Sequence, residues 1–170
     1  ITSFATTKQN YGLVVENWFD FCNIRKPKNI AVHFTDVSLE DYAKIKTTLE
    51  FHKAHNNDYY YSFKKLFTAP FRAMYKTKDE PNGFVCSEFI NYIITGTSIN
   101  ESTIEKEDYF ITPEDFRKRI LKRSNTVYSG SIDNFNPSIV KNVYNLYTSS
   151  IISKKKAIDA KIEKAFTKDI

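Results

Sequence analysis

The sequence predicts an α+β domain, in which a small antiparallel sheet packs against helices, followed by a helical tail. Short β-branched runs are typical of strands, and longer capped segments carry apolar residues at helical spacing. The 170 residues are 41% hydrophobic and 15% aromatic, which is enough apolar area for one core. We expect residues 1–130 to form the domain and residues 131–170 to form the tail.

Runs with strand character lie near both ends of the domain. Residues 1–4 are a short extended piece, and residues 13–15 are a β-branched run. Residues 29–34 form a third run, and residues 125–129 form the last one. Residues 1–34 are therefore expected to consist of strands and turns.

Capping residues mark where two longer helices begin. Ser38 is a good N-cap with Asp41 at the capping-box position, and Thr112 precedes Pro113, which suits a first helical position. In the first of these helices, the residues at helical spacing are Tyr42, Ile45, Leu49 and His52. This helix is expected to end near His55, where turn-forming residues begin.

The segment GFVCSEFINYII, residues 83–94, predicts a buried helix that Gly96 ends. Its Cys86 could fill core space, form half of a disulfide, bind a metal ion or act as a nucleophile. At a helix N-terminus, unpaired N–H groups and a partial positive charge favour the thiolate and can stabilise an oxyanion. Cys86 is therefore suited to acyl transfer, and a small buried hydrophobe is the alternative.

Few other residues are candidates for the chemistry. Cys22 lies between aromatic residues and is expected to pack in the core, and two cysteines make neither a disulfide scaffold nor a zinc site. A thiol nucleophile usually needs a histidine as base. His52 and His55 are expected at the surface, so His33 is the best of a weak set. Glu16 closes an apolar run, either as a partner for an imidazole or as an ordinary exposed carboxylate.

Charge and hydropathy exclude some partners. The net charge is +5, and basic residues cluster at 117–123 and 154–156, as is typical of solvated helix faces. Nucleic acid is not an expected partner, because no nucleic-acid-binding signature accompanies these clusters. No apolar run approaches the roughly 18 residues of a membrane-spanning helix.

Four segments in order resemble a known family. They are residues 3–16, which include SF and GLVVE; VHFTDVSLEDYAKIK; YYYSFKKLF, with a short helix near residues 63–68; and FVCSEFINYII followed by FITPEDF. Their order and spacing resemble the circularly permuted branch of the NlpC/P60 superfamily, which are papain-like thiol hydrolases. The resemblance covers residues 1–129, and its most specific parts are CSEF and TPEDF.

This resemblance implies roles for two residues. Cys86 matches the family nucleophile, and Glu16 matches, less closely, the residue that orients the catalytic histidine. The family histidine belongs to a strand upstream of residues 1–4, and His33 lies on a later strand that does not match. Because the chain begins with Ile1, we expect it to be a piece of a longer protein that carries this histidine.

The function expected from the resemblance is a cysteine hydrolase, either a peptidase or amidase or an acyl hydrolase, that acts through an acyl-enzyme. Its substrate would be a peptide, amide or lipid ester, and no metal or organic cofactor is required. The alternative is a catalytically degenerate module with a structural or docking role in a viral, phage or other assembly, with residues 131–170 as the docking element. Free cysteines favour a cytoplasmic or virion-associated location.

Overall fold

The computed structural model shows a mixed α+β chain and describes residues 2–6, 11–68, 82–99, 112–122 and 124–167. Its strands are β1 (Thr2–Thr6), β2 (Tyr11–Val15), β3 (Asn29–Phe34), β4 (Tyr60–Tyr61), β5 (Gly83–Phe84) and β6 (Asn125–Ser131). Its helices are α1 (Trp18–Arg25), α2 (Leu39–Ala54), α3 (Phe63–Thr68), α4 (Cys86–Ile94), α5 (Pro113–Leu121), α6 (Ser138–Thr148) and α7 (Ile152–Phe166). Within the described ranges, none of the helices has both the length and the hydropathy that a membrane span requires.

The strands form three pairs rather than the single antiparallel sheet that the sequence predicts. β1 pairs with β2 and β3 pairs with β6, both antiparallel, whereas β4 and β5 are parallel. A parallel pair needs a long crossover. The chain between β4 and β5 provides one, and this crossover includes α3. The α+β class is confirmed, and the parallel pair leads directly into α4.

The predicted helix starts are confirmed at two caps. The Ser38 hydroxyl accepts a hydrogen bond from the Asp41 N–H at 3.0 Å, and the Thr112 hydroxyl accepts one from the Asp115 N–H at 3.1 Å. These bonds satisfy backbone donors that the first turn of a helix leaves unpaired. The short helix near residues 63–68 and the end of α2 at Ala54 also agree with the sequence.

Gly96 ends the α4 region in a conformation that favours glycine. Its φ is +71°, and a Cβ built there would lie 2.9 Å from the Lys44 Nζ, which donates a hydrogen bond to the Gly96 carbonyl. The positive φ is therefore what favours glycine at this position, and the predicted stop is confirmed.

The prediction that residues 1–34 consist of strands and turns is wrong over α1. Asn17 caps this helix, since its Oδ1 accepts a hydrogen bond from the Asp20 N–H at 2.8 Å. Trp18 at the start of α1 packs on Phe135, with ring centroids 5.2 Å apart. Asn17 was the sequence signal for this helix start, and the neighbouring strand-like runs hid it.

The C-terminal tail is helical, as predicted, and it docks on the domain itself. α7 lies along α2, where the Tyr42 hydroxyl donates a hydrogen bond to Asp159, which also holds Lys155 Nζ at 2.7 Å. Phe34 of β3 stacks on Tyr147 of α6. One face of the tail therefore serves an intramolecular contact.

The basic cluster on α5 faces solvent where its side chains are described. Arg117 and Lys118 are both exposed and pair with Glu114 on the same helix. This agrees with the predicted solvated helix face. The side chains of Arg119 and Arg123, like residues 110–111 of the FITPEDF segment, lie outside the described residues.

The buried core lies between β2, β5 and α4. Leu13, Phe84 and Phe89 form its centre, and partly buried residues of α2, α4, β4 and the segment just before β4 pack around them: Leu49, Tyr59, Tyr61 and Ile93. Aromatic rings supply most of this contact, as the composition suggests. The core therefore holds α4 by its apolar face and fixes the position of the turn before it.

Candidate functional site

Cys86 is the first residue of α4, immediately after the β5 strand and its extended N-cap residue, Val85. The backbone of the first helical turn has N–H groups that no intrahelical carbonyl accepts. Cys86 is partly exposed, whereas Val85 and Ser87 on either side of it are buried. The predicted helix start is confirmed, and this side chain is accessible at the end of an otherwise buried segment.

Glu88 and Lys65 form a buried ion pair beside this turn. The Val85 N–H donates a hydrogen bond to Glu88 Oε2 at 3.2 Å, and Lys65 Nζ of α3 lies 3.6 Å from the same oxygen. Neither residue was predicted from the sequence as part of the site. Glu88 does occupy the capping-box position, three residues after the N-cap, but nothing local to the sequence connects it with Lys65.

Tyr61 of β4 lies near Cys86. Burial, and to a lesser extent an electrostatic interaction with Cys86, raise the pKa of Tyr61 above its ordinary value of 10.0. The Tyr61 ring also contacts Phe63 edge-on, with centroids 5.4 Å apart. Part of the tyrosine-rich segment therefore flanks the cysteine, in addition to packing in the core.

Glu16 is buried next to β2 and pairs with Arg25. One guanidinium nitrogen of Arg25 lies 3.4 Å from Oε1 and 3.5 Å from Oε2. The alternative of an ordinary exposed carboxylate is therefore wrong. A carboxylate has about four acceptor positions, so this pairing is compatible with an additional imidazole partner.

Two of the three histidines are engaged away from Cys86. His33 Nδ1 lies 3.0 Å from the Thr126 hydroxyl, across the β3–β6 pair. His55 stacks on Phe51, with ring centroids 4.3 Å apart, and it is exposed, as predicted. The role of His33 as a base stays a prediction, since its hydrogen-bond contact is with Thr126 and not with Cys86.

His52 is buried, and its predicted surface location is wrong. The ring is 2% exposed and packs against Phe89 and Tyr92 of α4. Burial, and to a lesser extent the charge of His55, lower the pKa of His52 below its ordinary value of 6.5. Its position at helical spacing after Leu49 was the sequence signal for this packing.

His52 forms no hydrogen bond with Cys86. Neither nitrogen of the His52 ring has a hydrogen-bond partner among the described residues. The Cys86 thiol is therefore not hydrogen-bonded to this ring. Phe89 and Tyr92 are three and six residues beyond Cys86, which is about 4.5 and 9 Å along the helix axis. The imidazole therefore packs on the aromatic residues of α4 rather than forming a hydrogen bond with the cysteine.

The two cysteines are both free, which removes the disulfide alternative. Cys22 is in the middle of α1 and is partly exposed. Among the residues that the structure describes, no three His, Cys, Asp or Glu side chains are grouped so that they could hold a metal ion.

Comparisons with known proteins give no relative for this chain. No protein-family model matches it, and no curated protein or solved structure matches it either. The resemblance to the permuted NlpC/P60 branch is therefore a prediction that depends on residues of this sequence alone.

Proposed function

We propose that this chain is a cysteine hydrolase domain of the permuted NlpC/P60 type, with Cys86 as its nucleophile. The observation that carries the proposal is the position of Cys86. It is the first residue of α4, it is partly exposed, and its neighbours in the chain are buried. A strand and N-cap that lead into a helix beginning with cysteine give the thiolate both a positive dipole end and access to substrate.

The proposed reaction is acyl transfer in two steps. The Cys86 thiolate attacks the carbonyl carbon of a peptide, amide or lipid ester, and the positive end of the α4 dipole stabilises the oxyanion. The carbon–nitrogen or carbon–oxygen bond then breaks, and the leaving group takes the proton of an imidazolium. Water, deprotonated by the imidazole, hydrolyses the thioester and releases the acid.

In this proposal, the imidazole comes from outside residues 1–170. All three histidines of the chain are described, and the contacts of their rings are with Thr126, Phe51 and the aromatic residues around His52. Glu16 would orient the incoming imidazole, since its carboxylate is buried and already fixed by Arg25.

An activated ester tests the proposal on the chain as it exists. Because p-nitrophenolate leaves without a proton from an acid, p-nitrophenyl acetate should acetylate Cys86 even without the histidine. Peptide mass spectrometry locates the acetyl group, and free imidazole in the buffer should accelerate its attachment to Cys86. Cys86→Ala should abolish this labelling, and Cys22 in the same molecule controls for the reaction of imidazole in bulk solution.

The second candidate is a catalytically degenerate module with a structural or docking role. The observation in its favour is that no histidine among the described residues is hydrogen-bonded to Cys86. For such a module, Cys86 and Cys22 would be acetylated at similar rates, and imidazole would change both equally. That outcome would reject the hydrolase and support the module.

A further inference from the structure

We propose that Lys65 and Glu88 are a positioning pair that fixes the turn before Cys86 and balances the buried charge at this turn, two residues from the thiol. The inference rests on the proposed role of Cys86 as a nucleophile. Neither residue belongs to the nucleophile or to its expected histidine partner. Their position follows from a closed series of contacts around the β5–α4 turn.

The first half of this series joins α4 to α3. Glu88 accepts a hydrogen bond from the backbone N–H of Val85, the residue directly before Cys86. Lys65 Nζ approaches the same carboxylate oxygen to 3.6 Å, and it also lies 5.7 Å from the Phe84 ring centroid. The carboxylate therefore holds the N-cap peptide, and the ammonium holds the carboxylate.

The second half returns from α3 to β5. The backbone N–H of Lys65 donates a hydrogen bond to the Ser62 hydroxyl at 3.0 Å. The backbone N–H of Ser62 in turn donates to the Phe84 carbonyl at 2.9 Å. Since Phe84 is bonded to Val85, these contacts form a closed ring. The ring fixes β5, the start of α3 and the start of α4 relative to one another.

Every residue of this ring is buried, which raises the cost of breaking it. The five are Ser62, Lys65, Phe84, Val85 and Glu88. A buried carboxylate left without its ammonium is strongly unfavourable, and the reverse also holds. Cys86 is the partly exposed residue next to this ring, so the ring can support the thiol without covering it.

The charges of the pair have opposite effects on a neighbouring thiolate. The Glu88 carboxylate satisfies the Val85 N–H, but its negative charge opposes a second negative charge on Cys86. The Lys65 ammonium offsets this effect. A merely structural ion pair would affect folding only, whereas a positioning pair should also set the pH at which Cys86 becomes reactive.

The test is the rate of Cys86 alkylation by iodoacetamide as a function of pH, measured by peptide mass spectrometry. In Glu88→Gln, the amide keeps the shape of the side chain and can still accept from Val85, but the ammonium is no longer balanced. The midpoint of the rate should fall by about one pH unit, because a unit charge within about one helical turn has an effect of that size.

The reverse substitution should have the opposite sign. Lys65→Met removes the positive charge next to the carboxylate and should raise the midpoint. Lys65→Arg should keep the wild-type value, and the double variant Lys65→Met/Glu88→Gln should return towards it. If one single variant fails to fold, the other decides by the sign of its shift. Asp159→Asn is the matched control, since it removes an ion pair of α7 and should leave the midpoint unchanged.

Failure of this inference differs from failure of the proposed function. If folded Glu88→Gln and Lys65→Met both keep the wild-type midpoint while Cys86 stays more reactive than Cys22, the positioning role is overturned and the nucleophile survives. If wild-type Cys86 reacts no faster than Cys22 at any pH, the proposed function itself is overturned.

Discussion

The two helices that carry the cysteines, α1 and α4, differ in how they are held. α4 has five buried residues among nine, whereas α1 has none. α1 begins with a side-chain cap from Asn17 and exposes Phe19 and Ile24. α4 begins inside a ring of buried polar contacts and ends at a glycine with positive φ.

The difference concerns the environment of each thiol rather than its exposure. Cys22 and Cys86 are both partly exposed and both free. Cys22 is the fifth residue of its helix, past the four residues whose backbone N–H groups have no partner within a helix. Cys86 is the first residue of its helix and lies at the positive end of the helix dipole. Cys22 was expected to pack in the core, but it is partly exposed on a helix without buried residues, so its position within the helix is what distinguishes it from Cys86.

The largest expected difference between the two helices comes from removing one aromatic ring from each. Phe89 of α4 is 1% exposed, and Phe19 of α1 is 73% exposed. Phe89→Ala should lower the free energy of unfolding by about 3–5 kcal/mol, and Phe19→Ala should change it by no more than about 0.5 kcal/mol. Urea denaturation measures both, and similar losses for the two variants would contradict the comparison.

A smaller effect is expected from removing the cap of α1. Asn17→Ala should cost about 1 kcal/mol, because the Asp20 N–H loses its acceptor. Since α1 has no buried residue, the loss should appear as local fraying, and alkylation of Cys22 should become faster. Cys86 serves as the internal control, and an equal increase in its alkylation would show that the two helices unfold together.

The smallest expected effect concerns His52, which packs on α4, and it should appear in how the free energy of unfolding depends on pH. The pKa of His52 is lowered in the folded protein, mainly by burial, so the unfolded chain binds more protons as the pH falls below about 6.5. The contribution of neutral, buried His52 to the free energy of unfolding is therefore complete above that pH and is lost as the pH falls below it. Tyr59 and Tyr92 are the titratable groups whose rings pack on His52, and His55 adds positive charge.

His52→Leu should remove this loss of stability at low pH, because leucine does not bind a proton. The urea midpoint of the wild type should be lower at about pH 5.5 than at about pH 7.5, and the variant should show a smaller difference between the two conditions. His33→Asn, on the β3–β6 pair, is the matched control and should keep the wild-type difference. An unchanged pH dependence in His52→Leu would place the responsible group elsewhere.

Local sequence signals predicted most helix starts correctly. Ser38 and Thr112 cap their helices as expected, and Gly96 lies where α4 has ended, because caps and glycine stops depend on a few neighbouring residues. The Asn17 cap was equally local, and strand-like residues around it concealed it. His52 was placed on the apolar side of α2 by its spacing, but its residue type suggested the surface.

Contacts between distant segments could not be predicted in the same way. Lys65 and Glu88 are separated by the whole connection between α3 and β5, and neither is unusual in its local sequence. The parallel pairing of β4 with β5 involves only two residues in each strand, which is too short for a periodic signal. The sequence therefore predicted that Cys86 begins a helix, whereas the ring of contacts at the β5–α4 turn could be seen only in the structure.

The most direct test of the central claim compares the two cysteines within one molecule. Iodoacetamide alkylation of the folded wild-type chain at neutral pH, followed by peptide mass spectrometry, gives both rates in one experiment. We expect Cys86 to react at least about tenfold faster than Cys22, because Cys86 is the one of the two that begins a helix. Equal rates, or a faster Cys22, would contradict it.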